Sequence, residues 1–407
     1  MGLPDVSINI LNGQLGRTER TADGVAGLIM TGPAPASLAN DTPVQIFSLA
    51  DAEALGITSA YDADDRKVHR QIADFYEMAG EGAELWVSIV PDATTMAAIC
   101  TETNMTNSAR KLLDAAGGSI RLLGVARTPD GVVTASEGFD ADVAAAVEKA
   151  QILAEKFASD HKPLRVVIEG RDYQGTASAV KDYTGGSDNR VAIVALGFEQ
   201  WVDTNNSNAL TASKAAAVGR ALGAAAVLPV QRKISRVKNG DIGLLQAYLS
   251  NGTSLAGVSE AELDTLHDKG IIVPRTFTGV NGFFFSGDQT ATSPADDFSS
   301  LARGRVIDKA TTIAYQMLVQ EIDDEVALTT EGKLPQVVVK SYKARVETAM
   351  NTQMISQGEA SSAELIIDAN QNISATDELR ATLSIIPVGY SSNILVDLKF
   401  DNPITTN

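Results

Sequence analysis

Residues 66–91 read RKVHRQIADFYEMAGEGAELWVSIVP, and this stretch decides the fold class. Val68, Ile72, Phe75 and Ala79 recur at helical spacing, so residues 66–79 form an amphipathic helix that Gly80 stops. Past the glycines, Leu85 to Val90 is an apolar run without strict alternation, closed by Pro91. That is a strand buried on both faces, which is what a sheet covered by helices on its two sides requires.

The same alternation continues outward. Gly24 to Met30 reads as a buried strand, Pro33 to Asp41 as a loop and Val44 to Leu49 as a strand. Ser48 is placed to cap a short helix, Ala50 to Leu55, that ends at Gly56. Downstream, helices are expected over Met105 to Ala116, Asp140 to Ser159 and Thr211 to Leu222, and strands over Ile120 to Ala126, Leu164 to Glu169 and Val191 to Leu196. The expected class is α/β, a mixed or parallel sheet core flanked by helices.

From about Phe277 the character changes. Phe283-Phe284-Phe285 is an aromatic strand, Gly287 to Asp297 a polar loop, Leu301 to Glu325 a long helix, and Pro335 opens a second helix that Gly358 ends. Strands are expected over Ala363 to Asp368, Leu379 to Pro387 and Ile394 to Phe400, which makes a C-terminal α+β domain. In the last strand Ile394, Val396, Leu398 and Phe400 share one face, and Gly389 to Asn393 precede it. At the other end Val6, Ile8 and Ile10 alternate in the same way before Gly13 and a polar run. The expected organisation is an N-terminal arm over 1–20, one or more α/β domains over 21–275, the α+β domain over 276–390 and a C-terminal arm over 391–407.

The 407 residues carry 33 Lys and Arg against 51 Asp and Glu, a net charge of -18. That balance argues against a broad phosphate-binding surface for nucleic acid and against an anionic membrane. No apolar run approaches the roughly 20 residues of a membrane helix. Met1 to Asp5 lacks the basic start and apolar block of a secretory signal, so synthesis in the cytosol is expected. Cys100 is the only cysteine, which excludes an intrachain disulfide and a cysteine-rich zinc site.

Little in the chain spells catalysis. His69, His161 and His267 are far apart, at no metal or triad spacing, and His69 beside Arg70 reads as a solvent-facing helix residue. Gly240-Asp241-Ile242-Gly243 is only a turn, and no phosphate loop, nucleophile elbow or dinucleotide fingerprint occurs. Asp62, Asp64 and Asp65 lack the glycine and terminal glutamate of a calcium loop, so they read as acids at a helix N-terminus. Arg232, Lys233, Arg236 and Lys238 form the densest basic cluster, which reads as a salt-bridging protein contact rather than a phosphate site. No cofactor or metal is expected.

Taken in order, these segments resemble the sheath proteins of contractile phage tails and related contractile injection particles. One part of the resemblance runs from Pro43-Val44-Gln45-Ile46-Phe47-Ser48 through Ala52 to Gly56, then Val68 to Tyr76, then Gly80 to Val90. Ala79-Gly80-Glu81-Gly82 stands where that family has an Asn-Gly-Gly turn. The other part is Arg303-Gly304-Arg305-Val306-Ile307-Asp308 opening a long helix, the second helix, the strand ending in Pro387-Val388, and the final strand from Asn393.

The resemblance implies a structural subunit that stacks with itself in six-fold rings around a tail tube protein and meets baseplate and terminator proteins. It implies assembly in the bacterial cytoplasm into a virion tail or injection particle, and contraction that drives the tube through a target envelope. Terminal arms of such proteins add strands to neighbouring subunits, which makes Val6, Ile8, Ile10, Ile394, Val396, Leu398 and Phe400 the arm residues. Gly13, Gly389, Ser391 and Ser392 are then hinge candidates, and Arg305, Lys309, Lys340, Lys343 and Arg345 candidates to face an acidic tube. Two other readings compete: a small-molecule enzyme with its ligand at the carboxyl ends of parallel strands, and another tail component such as a tube or baseplate protein. A polymer of subunits at -18 also requires basic residues at the contact faces and assembly that depends on salt, since screening leaves only close pairing effective.

Overall fold

A computed structural model describes residues 22–63, 65–131, 133–199, 201–202, 210–371, 373–376 and 378–400. The chain forms two compact units, Met1–Tyr315 and Gln316–Asn407. In the first, a seven-stranded sheet contains β1 (Ala26–Thr31), β2 (Val44–Ile46), β3 (Leu85–Val90), β4 (Leu122–Ala126), β5 (Arg165–Glu169), β6 (Val191–Val194) and β7 (Ile271–Ile272). Their spatial order is β7-β6-β5-β4-β1-β3-β2. All neighbours run parallel except the edge strand β2, which is antiparallel to β3.

Successive residues of these strands feed opposite cores. Ile29, Val125, Val166, Ile168, Val191 and Ile193 face one cluster, with Met96–Cys100 (α3), Ala109–Ala115 (α4) and Asp142–Ser159 (α5). Leu28, Met30, Val87, Val167, Ala192 and Val194 face the other, with Val68–Ala79 (α2) and Val218–Val227 (α6). Burial on both faces is why the strands read as continuous apolar runs instead of alternating ones.

Local chemistry fixes the helix ends. Leu49–Ala54 (α1) starts at Ser48, whose hydroxyl accepts from Asp51 N at 3.1 Å. The expected helix over 105–116 begins only at Ala109, because Ser108 caps it by accepting from Lys111 N. The expected helix from Thr211 begins at Val218. Its cap position is Ala217, which has no side-chain acceptor, so Gln71 of α2 supplies one by accepting from Gly219 N at 2.7 Å. Close approach makes this possible: a Cβ on Gly219 would stand 1.9 Å from Gln71 O, and one on Gly223 2.4 Å from Phe75 O.

Glu260–Asp268 (α7) leads into β7, and Pro274–Phe277 (β8) pairs antiparallel with Val280–Phe285 (β9). The long helix Leu301–Leu318 (α8) is bound to the sheet at its N-terminal half. Arg165, buried at the start of β5, donates from Nε to Asp308 Oδ2 at 2.6 Å and from Nη2 to Asp308 Oδ1 at 3.0 Å and Gly304 O at 2.9 Å. Only glycine fits at 304, since a Cβ there would lie 2.3 Å from Arg165 Cζ. Residues 276–315, assigned above to the C-terminal domain, thus pack in the first unit, with Phe285 and Leu301 in its second core.

The second unit is α+β. Gln336–Met350 (α9) follows Pro335, continues into the π-helical turn Asn351–Ile355, and covers the hairpin of Ala360–Ile367 (β10) and Ala381–Pro387 (β11). Val339, Tyr342, Val346 and Met350 are its buried stripe. The expected final strand, Ile394 to Phe400, does not form as a strand: no ladder includes it among the described residues. A strand needs a neighbouring strand for its backbone groups, and among the described residues no strand pairs with this segment. Among the described residues no helix is long and apolar enough to cross a membrane.

Removing the Asp308 carboxylate leaves the Arg165 guanidinium buried without its counter-charge. Asp308→Ala is expected to lower unfolding free energy by about 3–5 kcal/mol, read by denaturant titration. Unchanged stability would show that the pair does not hold α8.

Candidate functional site

In a doubly wound sheet, the place for a ligand is the crevice at the carboxyl ends of the strands where the strand order reverses. Here that point lies between β1 and β4, because the chain passes from β1 to β3 on one side and from β4 to β5 on the other. The crevice is occupied by the protein's own groups. Thr31 Oγ1 donates to Thr128 O at 2.9 Å and accepts from Thr128 N at 2.7 Å, which joins the two strand ends. Glu169, at the end of β5, accepts from Arg127 N at 2.7 Å and Ala216 N at 2.8 Å. The space left among Thr31, Lys67, Gln71, Arg127 and Glu169 is about 10 Å³, room for about one water molecule.

Around it runs a buried ion network. Arg171 pairs with Asp65 and lies 3.7 Å from Glu169, and Asp65 also accepts from Ser213 Oγ at 2.8 Å and Lys214 N at 3.0 Å. Asp65 is therefore bound to the 213–214 loop, not set at a solvated helix start. Asp62 does serve the helix start, accepting from His69 N and Arg70 N. His69 itself is half-buried against Glu53 at 3.2 Å. Burial pushes the Glu169 carboxyl up to about 7, against the pull of Arg171 and the two N–H donors, and lowers the Lys67 ammonium. No group of three or more His, Cys, Asp or Glu is placed to hold a metal ion among the described residues.

The second candidate is a surface, not a pocket. In the unit Gln316–Asn407, β10 and β11 pair only with each other among the described residues, so neither outer edge has a strand neighbour there, although Leu365 N of β10 donates to Glu347 Oε1 at 3.0 Å. Ile366 and Ile386 are half exposed on this hairpin. Beyond it Ile394, Val396, Leu398 and Phe400 are 78%, 79%, 94% and 104% exposed, an apolar row of strand periodicity. Gly389 has no atom within 4 Å of where a Cβ would stand, and Ser391 and Ser392 are exposed.

The remaining sequence-derived residues fall in different places. Val6, Ile8, Ile10 and Gly13 lie outside the described residues. Arg305 is buried in the first unit, where its Nη2 donates to Leu228 O at 3.1 Å, and Lys309 pairs with Asp23 at 2.8 Å. Neither presents an outward charge there. On α9, Lys340 is exposed, Lys343 meets Glu364 at 3.3 Å and Arg345 pairs with Glu321. The sequence offered no sign of the Glu169 and Arg171 network; Glu169 closing an apolar strand was the one available signal, since a charged residue there must point at the carboxyl-end crevice.

Comparison with known proteins places these features in a wider frame. The family model "DUF2586, N-terminal domain" matches residues 3–289, and "DUF2586, C-terminal domain" matches residues 297–405. Among solved structures, a chain of the anti-feeding prophage baseplate, 6-fold symmetrised, is similar at TM-score 0.61 and 16% identity, covering 99% of this chain and 100% of that one. The anti-feeding prophage helical sheath in the contracted state is similar at 0.60 and 16%, covering 98% and 100%. The sheath complex of the extracellular contractile injection system PVC, also contracted, is similar at 0.59 and 15%, covering 98% of each chain. No curated protein sequence matches. The mixed α/β fold is thus the fold of contractile sheath proteins.

Glu169 gives the crevice a pH signature. Its carboxyl titrates higher in the fold than when unfolded, so its contribution to stability is complete below about pH 4.5 and is lost as pH rises through about 7. Glu169→Gln does not titrate. Between pH 5 and pH 8 the stability of the wild-type chain relative to this variant should fall by on the order of 2 kcal/mol. A pH-independent difference in denaturant midpoints would show that the carboxylate is already ionised throughout.

Proposed function

The chain belongs to the DUF2586 family, and from that membership together with its sheath-protein fold we propose that it is a structural subunit of a contractile sheath. In this reading it polymerises with itself as stacked six-fold rings around a tail tube protein, between a baseplate and a terminator. The particle is a phage tail or injection apparatus assembled in the bacterial cytoplasm, and contraction of the lattice drives the tube through the target envelope. The work is mechanical and uses no cofactor.

The observation that carries the proposal is the exposed row Ile394, Val396, Leu398 and Phe400 in the same unit as a hairpin whose outer edges have no strand neighbour among the described residues. A strand-patterned segment outside every ladder, and a sheet edge with no strand beside it among the described residues, are complementary between copies. Adding the segment of one copy to the hairpin of the next closes backbone hydrogen bonds at about 0.5–1.5 kcal/mol each. It also buries four large apolar side chains, each contributing about 1.5–3 kcal/mol. Gly389, Ser391 and Ser392 then act as the hinge that lets the cores turn while the added strand stays in place. Val6, Ile8 and Ile10 would supply a second added strand, with Gly13 as its hinge. On the tube side, Lys340, Lys343 and Arg345 of α9 are the cations we assign to an acidic tube surface, with Lys340 the exposed one.

Electron micrographs of the purified chain should show rods or tubes. Deleting residues from Ser391 onward should leave the thermal unfolding of both units in place and abolish the rods. Rods of normal yield after the deletion would rule out strand addition by the C-terminal segment, and a monodisperse monomer of the full chain at high concentration would rule out the sheath reading.

A further inference from the structure

The loop between α6 and α7 carries cations that the rest of the fold leaves unmatched. Among the described residues, Arg232, Arg236 and Lys238 have no carboxylate within ion-pair range, whereas Lys233 beside them reaches Asp288 at 3.4 Å. In a chain of net charge -18, three unpaired cations within seven residues are a local inversion of sign. The same loop exposes apolar side chains, with Leu245 at 99% and Val237 at 39%.

The loop is built to hold this display. Arg236 donates from Nη1 to Asn239 Oδ1 at 3.3 Å, and Asn239 donates from Nδ2 to Lys233 O at 3.0 Å, which closes the 3-10 turn Val237–Asn239 on itself. Ile242 is buried, its N–H donates to Phe283 O of β9 at 2.9 Å, and its carbonyl accepts from the buried Arg220. Asp241 lies against Gly282, where a Cβ would come within 2.4 Å of it. Leu245 therefore projects from a pinned segment.

The complementary surface is on the same unit. Glu260, Asp264 and Asp268 of α7 stand at successive four-residue steps, so they form one stripe about 12 Å long. All three are exposed, and none has a cation within ion-pair range among the described residues. The exposed cations Arg236 and Lys238 and this stripe are surfaces of opposite sign, both unmatched among the described residues of one unit.

We propose that the loop 232–245 of one copy docks on the Glu260-Asp264-Asp268 stripe of a second copy, with Leu245 covered in the contact. The proposal rests on the reading of the chain as a polymerising subunit and names one contact of the polymer, separate from strand addition. Because two different surfaces meet, the contact propagates from copy to copy. Its charges give specificity and salt dependence more than raw affinity.

The test is a charge swap in the full chain, read as the fraction in rods by sedimentation and microscopy, with far-UV circular dichroism to check the fold. R236E/K238E and, separately, E260K/D264K/D268K should each lower the assembled fraction at least about tenfold at physiological salt. Combining both sets should restore it. General repulsion cannot mimic this, since the two sets change net charge in opposite directions. In parallel, K238C with D264C should give bismaleimide-linked multimers that neither cysteine alone gives; Cys100 is buried and stays out of the reaction. Rods without cross-links, or rods indifferent to both reversals, overturn the contact while leaving the sheath reading intact. Cross-links without rods support the contact and count against the sheath reading, and the absence of both overturns the two together.

Discussion

Arg165 is the residue around which the larger unit is organised. It begins a central strand of a sheet covered on both faces, so its charge has no path to water and must be met from inside. Asp308 meets it with both oxygens and also accepts from Arg190 at 3.1 Å. Gly304, one turn earlier in α8, gives up its side chain so that the guanidinium can pass. The helix start is held in turn by Asp288, which accepts from Ala302 N at 3.2 Å and pairs with Lys233. A buried pair of this kind adds little over well-packed apolar residues, but breaking it is costly. Its effect is therefore on which arrangement is adopted: α8 can lie on the sheet in one register, and the Arg303-Gly304-Arg305-Val306-Ile307-Asp308 run is the local form of that requirement.

The carboxyl ends of the strands show the same scaffold turned away from its common use. Doubly wound sheets leave a crevice at the reversal of strand order, and function is grafted there by loops. In this chain Thr31, Thr128, Glu169 and the 213–216 segment fill that crevice with their own hydrogen bonds, leaving space for about one water.

Much of this was legible in the sequence, and the failures have physical causes. Leu85–Val90 was bounded correctly because both ends are punctuated and every residue faces a core. Thr211 to Leu222 misled because its alanines favour helix, while the backbone there is drawn off by tertiary bonds: Ala216 N to Glu169 and Asp172 N to Lys214 O. Nothing local announces those partners. Strand β7 is two residues long, too short to leave a periodic signal. Arg305 and Lys309 looked like a surface stripe, and only the fold turns them inward towards Leu228 and Asp23. The basic cluster at 232–238 is visible as composition; only the fold brings Lys233, and not its neighbours, to Asp288.

The exposed segment Ile394–Phe400, outside every ladder among the described residues, has a further consequence for a polymer built by the proposed strand addition. In such a polymer donor and acceptor would be different surfaces of one chain, so each junction would consume one of each and the growing object would keep a direction. At one terminus a sheet edge would stay unfilled; at the other, four apolar side chains would stay in water. The two termini would then be different substances to a binding partner, so growth, capping and nucleation could each be governed at one end without touching the other.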